Sequence, residues 1–195
     1  VLSLLYLYTS FIFIAAYQLP SPKRLVSQEQ ALTTEFFDRE GKLLYRMYEG
    51  RNRTLVPLNE LPLFLIQATI AVEDKNFYSH QGIDFLAIFR AIRSNLIKQP
   101  APDGANLEGA STITQQLIKN SLLTPEKTYI RKIKEIILAL WAERIYSKEE
   151  ILGMYLNESP YGGPTWGVEA ASTAYFGKSA SDLTLAQAAF LAGLP

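Results

Sequence analysis

Two adjacent carboxylates, Glu73 and Asp74, end an apolar run in "AVEDKNFYSHQGID" (residues 71–84), ahead of Phe77, Tyr78 and His80, the single histidine of the chain. A carboxylate at a helix end, flanked by apolar and aromatic residues, suits a general base, because proton abstraction needs a positioned acceptor within hydrogen-bond reach. A polar helix end entering a loop is the plainer reading. A metal site made of Glu73, Asp74 and His80 fits less well, since the spacing matches no helical ligand pair such as HExxH. A histidine closing the loop by hydrogen bonds accounts for His80 better.

Two further stretches carry chemistry-bearing types. In "RKIKE" (131–135), Arg131, Lys132 and Glu135 share one helix side, while Ile130, Ile133, Ile136, Ile137, Leu140 and Trp141 cluster on the other. The first side is either a solvated face with ion pairs worth a few tenths of a kcal/mol, or a cationic patch meeting an anionic substrate group. In "EGASTITQQLIKN" (108–120), Ser111, Thr112, Thr114, Gln115 and Gln116 leave only Ile113 and Leu117 to face a core. That pattern is either a capped helix start with a polar face or a wall that hydrogen-bonds a ligand. No glycine-rich phosphate loop and no nucleophile elbow is present.

The elements that must position these residues are mostly helices. Pro62 suits a first helical turn, and "LPLFLIQATIAVED" runs from it to the two carboxylates. Phe85, Ile88, Phe89, Ile92 and Leu96 trace the face of a second helix starting at Asp84, and a Pro/Gly-rich loop, "KQPAPDGANLEGA", follows. Helix three is "STITQQLIKNSLL". Thr124-Pro125-Glu126 predicts the start of a long helix to about Tyr146. Ser147 with Glu150, and Thr184 with Gln187, form capping-box patterns. Upstream, "EFFDREGKLLYRMY" predicts a hairpin turning at Asp38–Gly41. Residues 1–19 lack any charge and are expected to be a membrane-spanning anchor. Residues 20–34 read as a polar linker and 35–195 as one mainly α domain. Basic and acidic residues are equal at 19 each, which gives no pointer to nucleic acid, and the absence of cysteine excludes disulfides and thiolate zinc sites.

In sequence order, "EDKNFYSHQG", "GASTITQQ", "RKIKE", "KEEILGMYLN" and "GVEAASTAYFGK" resemble the motifs of the peptidoglycan glycosyltransferases, glycosyltransferase family 51. This is the transglycosylase module of class A penicillin-binding proteins and of monofunctional transglycosylases. The resemblance implies a lysozyme-like helical fold with a small membrane-proximal lobe. It implies that lipid II is polymerised into β-1,4-linked glycan with inversion at the donor anomeric carbon and release of undecaprenyl pyrophosphate. Carried over by position, Glu73 is the base, Asp74 its neighbouring support, and Glu135 a second glutamate orienting the cations or a bound metal. Arg131, Lys132, Lys119 and Lys134 meet the pyrophosphate. Ser111, Thr112, Gln115 and Gln116 line the donor side, Phe77, His80 and Gly82 shape the catalytic loop, and Asn157 joins the substrate-binding set. No cofactor is certain, and Mg2+ or Mn2+ at the pyrophosphate is left open. Expected partners are lipid II, the nascent glycan, the membrane and cell-wall synthesis proteins, with the domain outside a bacterial cytoplasmic membrane. Rival readings are a lysozyme-like glycan hydrolase and a non-catalytic glycan-binding scaffold. Gly153 stands where the fourth motif usually has glutamate, and "NESPYGGPTWG" departs from the commoner turn.

Overall fold

The computed structural model describes residues 19–27, 33–48, 50–97, 110–124, 126 and 128–195. Among them run eight α-helices: α1 (Arg24–Ser27), α2 (Leu63–Glu73), α3 (Phe85–Ile97), α4 (Ile113–Leu122), α5 (Tyr129–Ile145), α6 (Lys148–Glu158), α7 (Val168–Phe176) and α8 (Leu185–Ala192). The strands β1 (Thr34–Phe37) and β2 (Leu43–Met47) form the expected antiparallel hairpin. Asp38 shapes its turn by accepting hydrogen bonds from the Glu40 and Lys42 amides. β3 (Asn52–Arg53) and β4 (Thr165–Trp166) pair in parallel.

Local capping sets most helix starts. Ser147 and Glu150 exchange side-chain and backbone bonds at α6, and Thr184 and Gln187 do so at α8, as expected. A third capping box, Thr112 with Gln115, opens α4. The long helix α5 begins later than its proline suggested: its N-cap is Thr128, whose hydroxyl accepts from the Arg131 amide, and not Thr124. Gly153 sits inside α6 with no close backbone neighbour. A β-carbon there would meet Leu58 Cβ at 3.5 Å, an ordinary contact, so tight packing does not require this glycine.

α4 forms the hub, packed against α5 and α6, while α2 packs on α8. Leu65, Phe77, Ile113, Leu117, Ile118, Leu138, Ile151, Leu152, Tyr155 and Leu156 fill one contiguous core. Two faces differ from expectation. In α5 the buried side is Glu135, Leu138, Ala139 and Ala142, while Ile130 and Trp141 are exposed. The small alanines bring the helix against the loop at Gly82, so the face carrying Glu135 turns inward. In α3, Phe85, Leu86 and Phe89 are 73%, 73% and 68% exposed, and Ala91 is buried instead. This apolar face has no covering element among the described residues.

Residues 1–18 of the expected anchor lie outside the described residues, and Leu19 packs against the core. No helix among the described residues is long and apolar enough to cross a membrane. Within the expected linker, Leu25 of α1 is buried and the Tyr146 hydroxyl donates to the Pro22 carbonyl, so residues 22–25 are docked. The loop following α3 falls at 98–109, also outside the described residues.

Candidate active site

Glu73 is the last residue of α2, where a carboxylate faces the negative end of the helix dipole and needs a donor to offset it. Gln116, one turn into α4, supplies that donor: its Nε2 lies 2.6 Å from Glu73 Oε2. The other carboxylate oxygen has no hydrogen-bond partner among the described residues, and the side chain is half-buried. Gln116 Oε1 in turn faces the buried Tyr155 hydroxyl of α6 at 3.4 Å.

Asp74 does different work from its neighbour. Its buried carboxylate accepts from His80 Nε2 at 3.0 Å and from the Ile113 amide at 3.0 Å, which satisfies the first turn of α4. The Gly82 amide points at His80 Nδ1, 3.2 Å away, so Nδ1 accepts and Nε2 carries the proton donated to Asp74. These bonds tie the 74–82 loop to α4, so Asp74 clips the loop that follows Glu73. His80 closes the loop, as its residue type suggested. Thr112 adds to the clip by donating to the Gly82 carbonyl at 2.7 Å. Gly82 has φ +88°, and a β-carbon on it would come within 3.0 Å of the Ala139 backbone. Phe77 is fully buried beneath this loop, with the Lys148 ammonium 4.5 Å from its ring centre.

The cations sit at the start of α5. Glu135, 2% exposed, accepts from Arg131 Nη1 at 3.0 Å and from Lys132 Nζ. Lys132 also donates to Ser111 Oγ at 2.9 Å. A buried carboxylate holding two cations fixes their direction, and it is left with an uncompensated charge only if both are removed. The arrangement is therefore not the solvated face that the helical pattern allowed. α4 and the residues just before it link the two halves, with Ser111 on Lys132 and Gln116 on Glu73.

Other expected residues lie elsewhere. Gln115 is buried and its Oε1 accepts from the Thr112 amide, so it and Thr112 cap α4. Asn157 spends its amide on the Val56 backbone and the Gly153 carbonyl. Lys119 and Lys134 have no ion-pair partner among the described residues and remain available to a ligand. Glu143 and Lys148, which no sequence pattern singled out as site residues, form a buried cluster with Thr114: Glu143 accepts from Thr114 at 2.5 Å and from Lys148 at 2.8 Å. Tyr155 was not singled out either; it sits inside "KEEILGMYLN" and reads as a core aromatic.

A cavity of about 1280 Å³, walled by Leu25, Leu55, Leu58, Ile66, Tyr146 and Met154, contains none of the Glu73 or Lys132 cluster. It is mostly apolar, with Asn157, Glu149, Glu150 and Glu158 also in its wall, and lies outside the constellation above. Among the described residues no three His, Asp or Glu side chains gather to hold a metal ion. The oxygens of Glu135 and Asp74 face Arg131, Lys132, His80 and the Ile113 amide.

A family model described as Transglycosylase matches residues 40–195. Penicillin-binding protein 1A of Rickettsia typhi is 44% identical over 184 residues, covering 94% of this chain and 23% of that protein. Penicillin-binding protein 1F of Bacillus subtilis is 41% identical over 188 residues, covering 96% and 25%. Penicillin-binding protein 1A of Clostridium perfringens strain 13 is 45% identical over 176 residues, covering 89% and 26%. The chain spans about a quarter of the length of these curated relatives.

Proposed function

The chain belongs to the transglycosylase family, and from that premise we propose that it is a peptidoglycan glycosyltransferase that polymerises lipid II. Glu73 takes the proton from the acceptor sugar 4-hydroxyl through the carboxylate oxygen not bound by Gln116. The acceptor oxygen then attacks the donor anomeric carbon from the face opposite the leaving group, which inverts it and forms the β-1,4 bond. Undecaprenyl pyrophosphate departs toward Arg131 and Lys132, with Lys119 and Lys134 as further cations where the negative charge develops. Glu135 orients the first two.

The observation that carries this reading is the pair of contacts made from α4 and the residues just before it, Gln116 on Glu73 and Ser111 on Lys132. A base and an oriented cation pair joined through α4 suit a displacement with an anionic leaving group. A hydrolase acting on glycan would use Glu73 with water and has no use for the cations. A non-catalytic scaffold has no use for a carboxylate held by one donor with its second oxygen open.

The mainly helical fold agrees with the lysozyme-like architecture that the family implies. We assign residues 1–19 to a single-pass anchor, with the domain on the outer side of a bacterial cytoplasmic membrane. The exposed Phe85, Leu86 and Phe89, with Tyr129 at 93% exposure, support a small lobe lying against lipid, where apolar side chains lose contact with water. The nascent glycan and cell-wall synthesis proteins are the proposed partners.

The test is incubation with labelled lipid II, followed by separation of products by length. Long glycan strands are expected. Shortening of preformed glycan, with no polymer from lipid II, would support the hydrolase, and no turnover of either would support the scaffold.

A further inference from the structure

We propose that Tyr155 is a positioning residue of this site: its hydroxyl orients the Gln116 amide, and through it the Glu73 carboxylate, for proton abstraction. The inference deepens the glycosyltransferase reading and rests on Glu73 being the base.

The geometry forms a chain across three helices. Tyr155, fully buried on α6, places its hydroxyl 3.4 Å from Gln116 Oε1 on α4, and Gln116 Nε2 lies 2.6 Å from Glu73 Oε2 on α2. The polarity of the chain follows from its ends. An ionised carboxylate only accepts, so the amide nitrogen must face Glu73 and the amide oxygen must face Tyr155. A flipped amide would set two acceptor oxygens against each other and strip Glu73 of its donor. The phenol, by donating to the amide oxygen, disfavours that flip.

Tyr155 is suited to be a permanent donor. Burial, and next the Glu73 carboxylate, push its hydroxyl well above the ordinary tyrosine value, so it stays protonated wherever Glu73 can act as a base. The 3.4 Å separation is long for a hydroxyl donor. Catalytic hydrogen bonds are often long in the free protein and tighten with substrate bound. The hydroxyl therefore biases the amide and does not lock it, and the expected effect is modest. This also gives "KEEILGMYLN" a part in the reaction through a residue other than Asn157.

The experiment uses the full chain, labelled lipid II, and three substitutions measured singly and in combination. Tyr155→Phe keeps the buried ring and removes only the hydroxyl. It should lower kcat by about 3- to 10-fold, in line with loss of one hydrogen bond, while KM for lipid II and the melting temperature stay near those of the unsubstituted chain. A purely structural role would move the melting temperature and leave this split absent. Gln116→Ala removes the link, so adding Tyr155→Phe to it should change kcat by less than about twofold, because coupled residues are not additive. Unchanged kcat in Tyr155→Phe, or a loss of the same size with and without Gln116, overturns the proposal. Glu73→Gln polymerising at full rate would instead remove the base assignment beneath it, and so separates the two failures.

Discussion

Replacing Lys132 by alanine separates a substrate-binding cation from a structural one, because the same fold contains a contrasting lysine. Lys132 is 41% exposed at its side chain and shares the buried Glu135 with Arg131, so removing it leaves that carboxylate paired. With solvent screening on the lysine side, the stability loss should stay below about 1 kcal/mol. If Lys132 meets the departing pyrophosphate, the lost contact is charge-assisted and worth about 1.5–3 kcal/mol. That corresponds to a fall in kcat of roughly 10- to 150-fold, at 1.36 kcal/mol per tenfold. Lys148 is the opposite case. It is 17% exposed, pairs with Glu143 at 5% exposure, and lies over the ring of Phe77. Lys148→Ala strands a buried carboxylate with only the Thr114 hydroxyl, which should cost up to about 3–5 kcal/mol of stability. The assay is polymerisation rate with lipid II beside thermal melting for each variant. The reasoning is refuted if Lys132→Ala keeps its rate, or if its melting temperature falls as far as that of Lys148→Ala.

Gly153→Ala should stabilise the protein by about 0.5–1 kcal/mol, read as a raised melting temperature, because a mid-helix glycine is replaced where a β-carbon meets only Leu58 at 3.5 Å. Asp84 gives a pH dependence: burial pushes its carboxyl up, but hydrogen bonds from Ala87, Asn76 and Leu86, with His80 nearby, outweigh this and hold it below its ordinary 3.8. A carboxylate lowered on folding contributes stability above its unfolded value and loses it as pH falls through the folded one. The stability advantage of the unsubstituted chain over Asp84→Asn should therefore be full above about pH 5 and shrink below 3.8 in melts at stepped pH. A constant difference across that window would contradict it.

Much of this architecture was legible in the chain because its causes are local. Ser147 with Glu150 and Thr184 with Gln187 are bonds within one turn, and the Asp38 turn closes over a few residues. The inward face of α5 was not legible. Its isoleucines make the stronger apolar stripe, yet Ala139 and Ala142 allow the close approach at Gly82, and that contact is settled far away in sequence. The same limit separates site from clip. Glu73, Asp74, Thr112, Gln115 and Gln116 are alike in being polar near a helix terminus. Only the packing decides that Asp74 turns to His80, that Gln115 caps its own helix, and that Gln116 reaches Glu73. Tyr155 was hidden for the converse reason, since a tyrosine at core spacing shows its ring in the pattern and not its hydroxyl.

The central claim is that Glu73 removes the proton from the acceptor sugar, and the polymerisation rate of Glu73→Gln on labelled lipid II tests it most directly. The substitution preserves size and the hydrogen-bonding frame, so folding and lipid II binding should remain close to those of the unsubstituted chain. Loss of a general base predicts a rate lower by about 10²–10⁴. Polymer forming at near the original rate would contradict the account and leave the proton to another group.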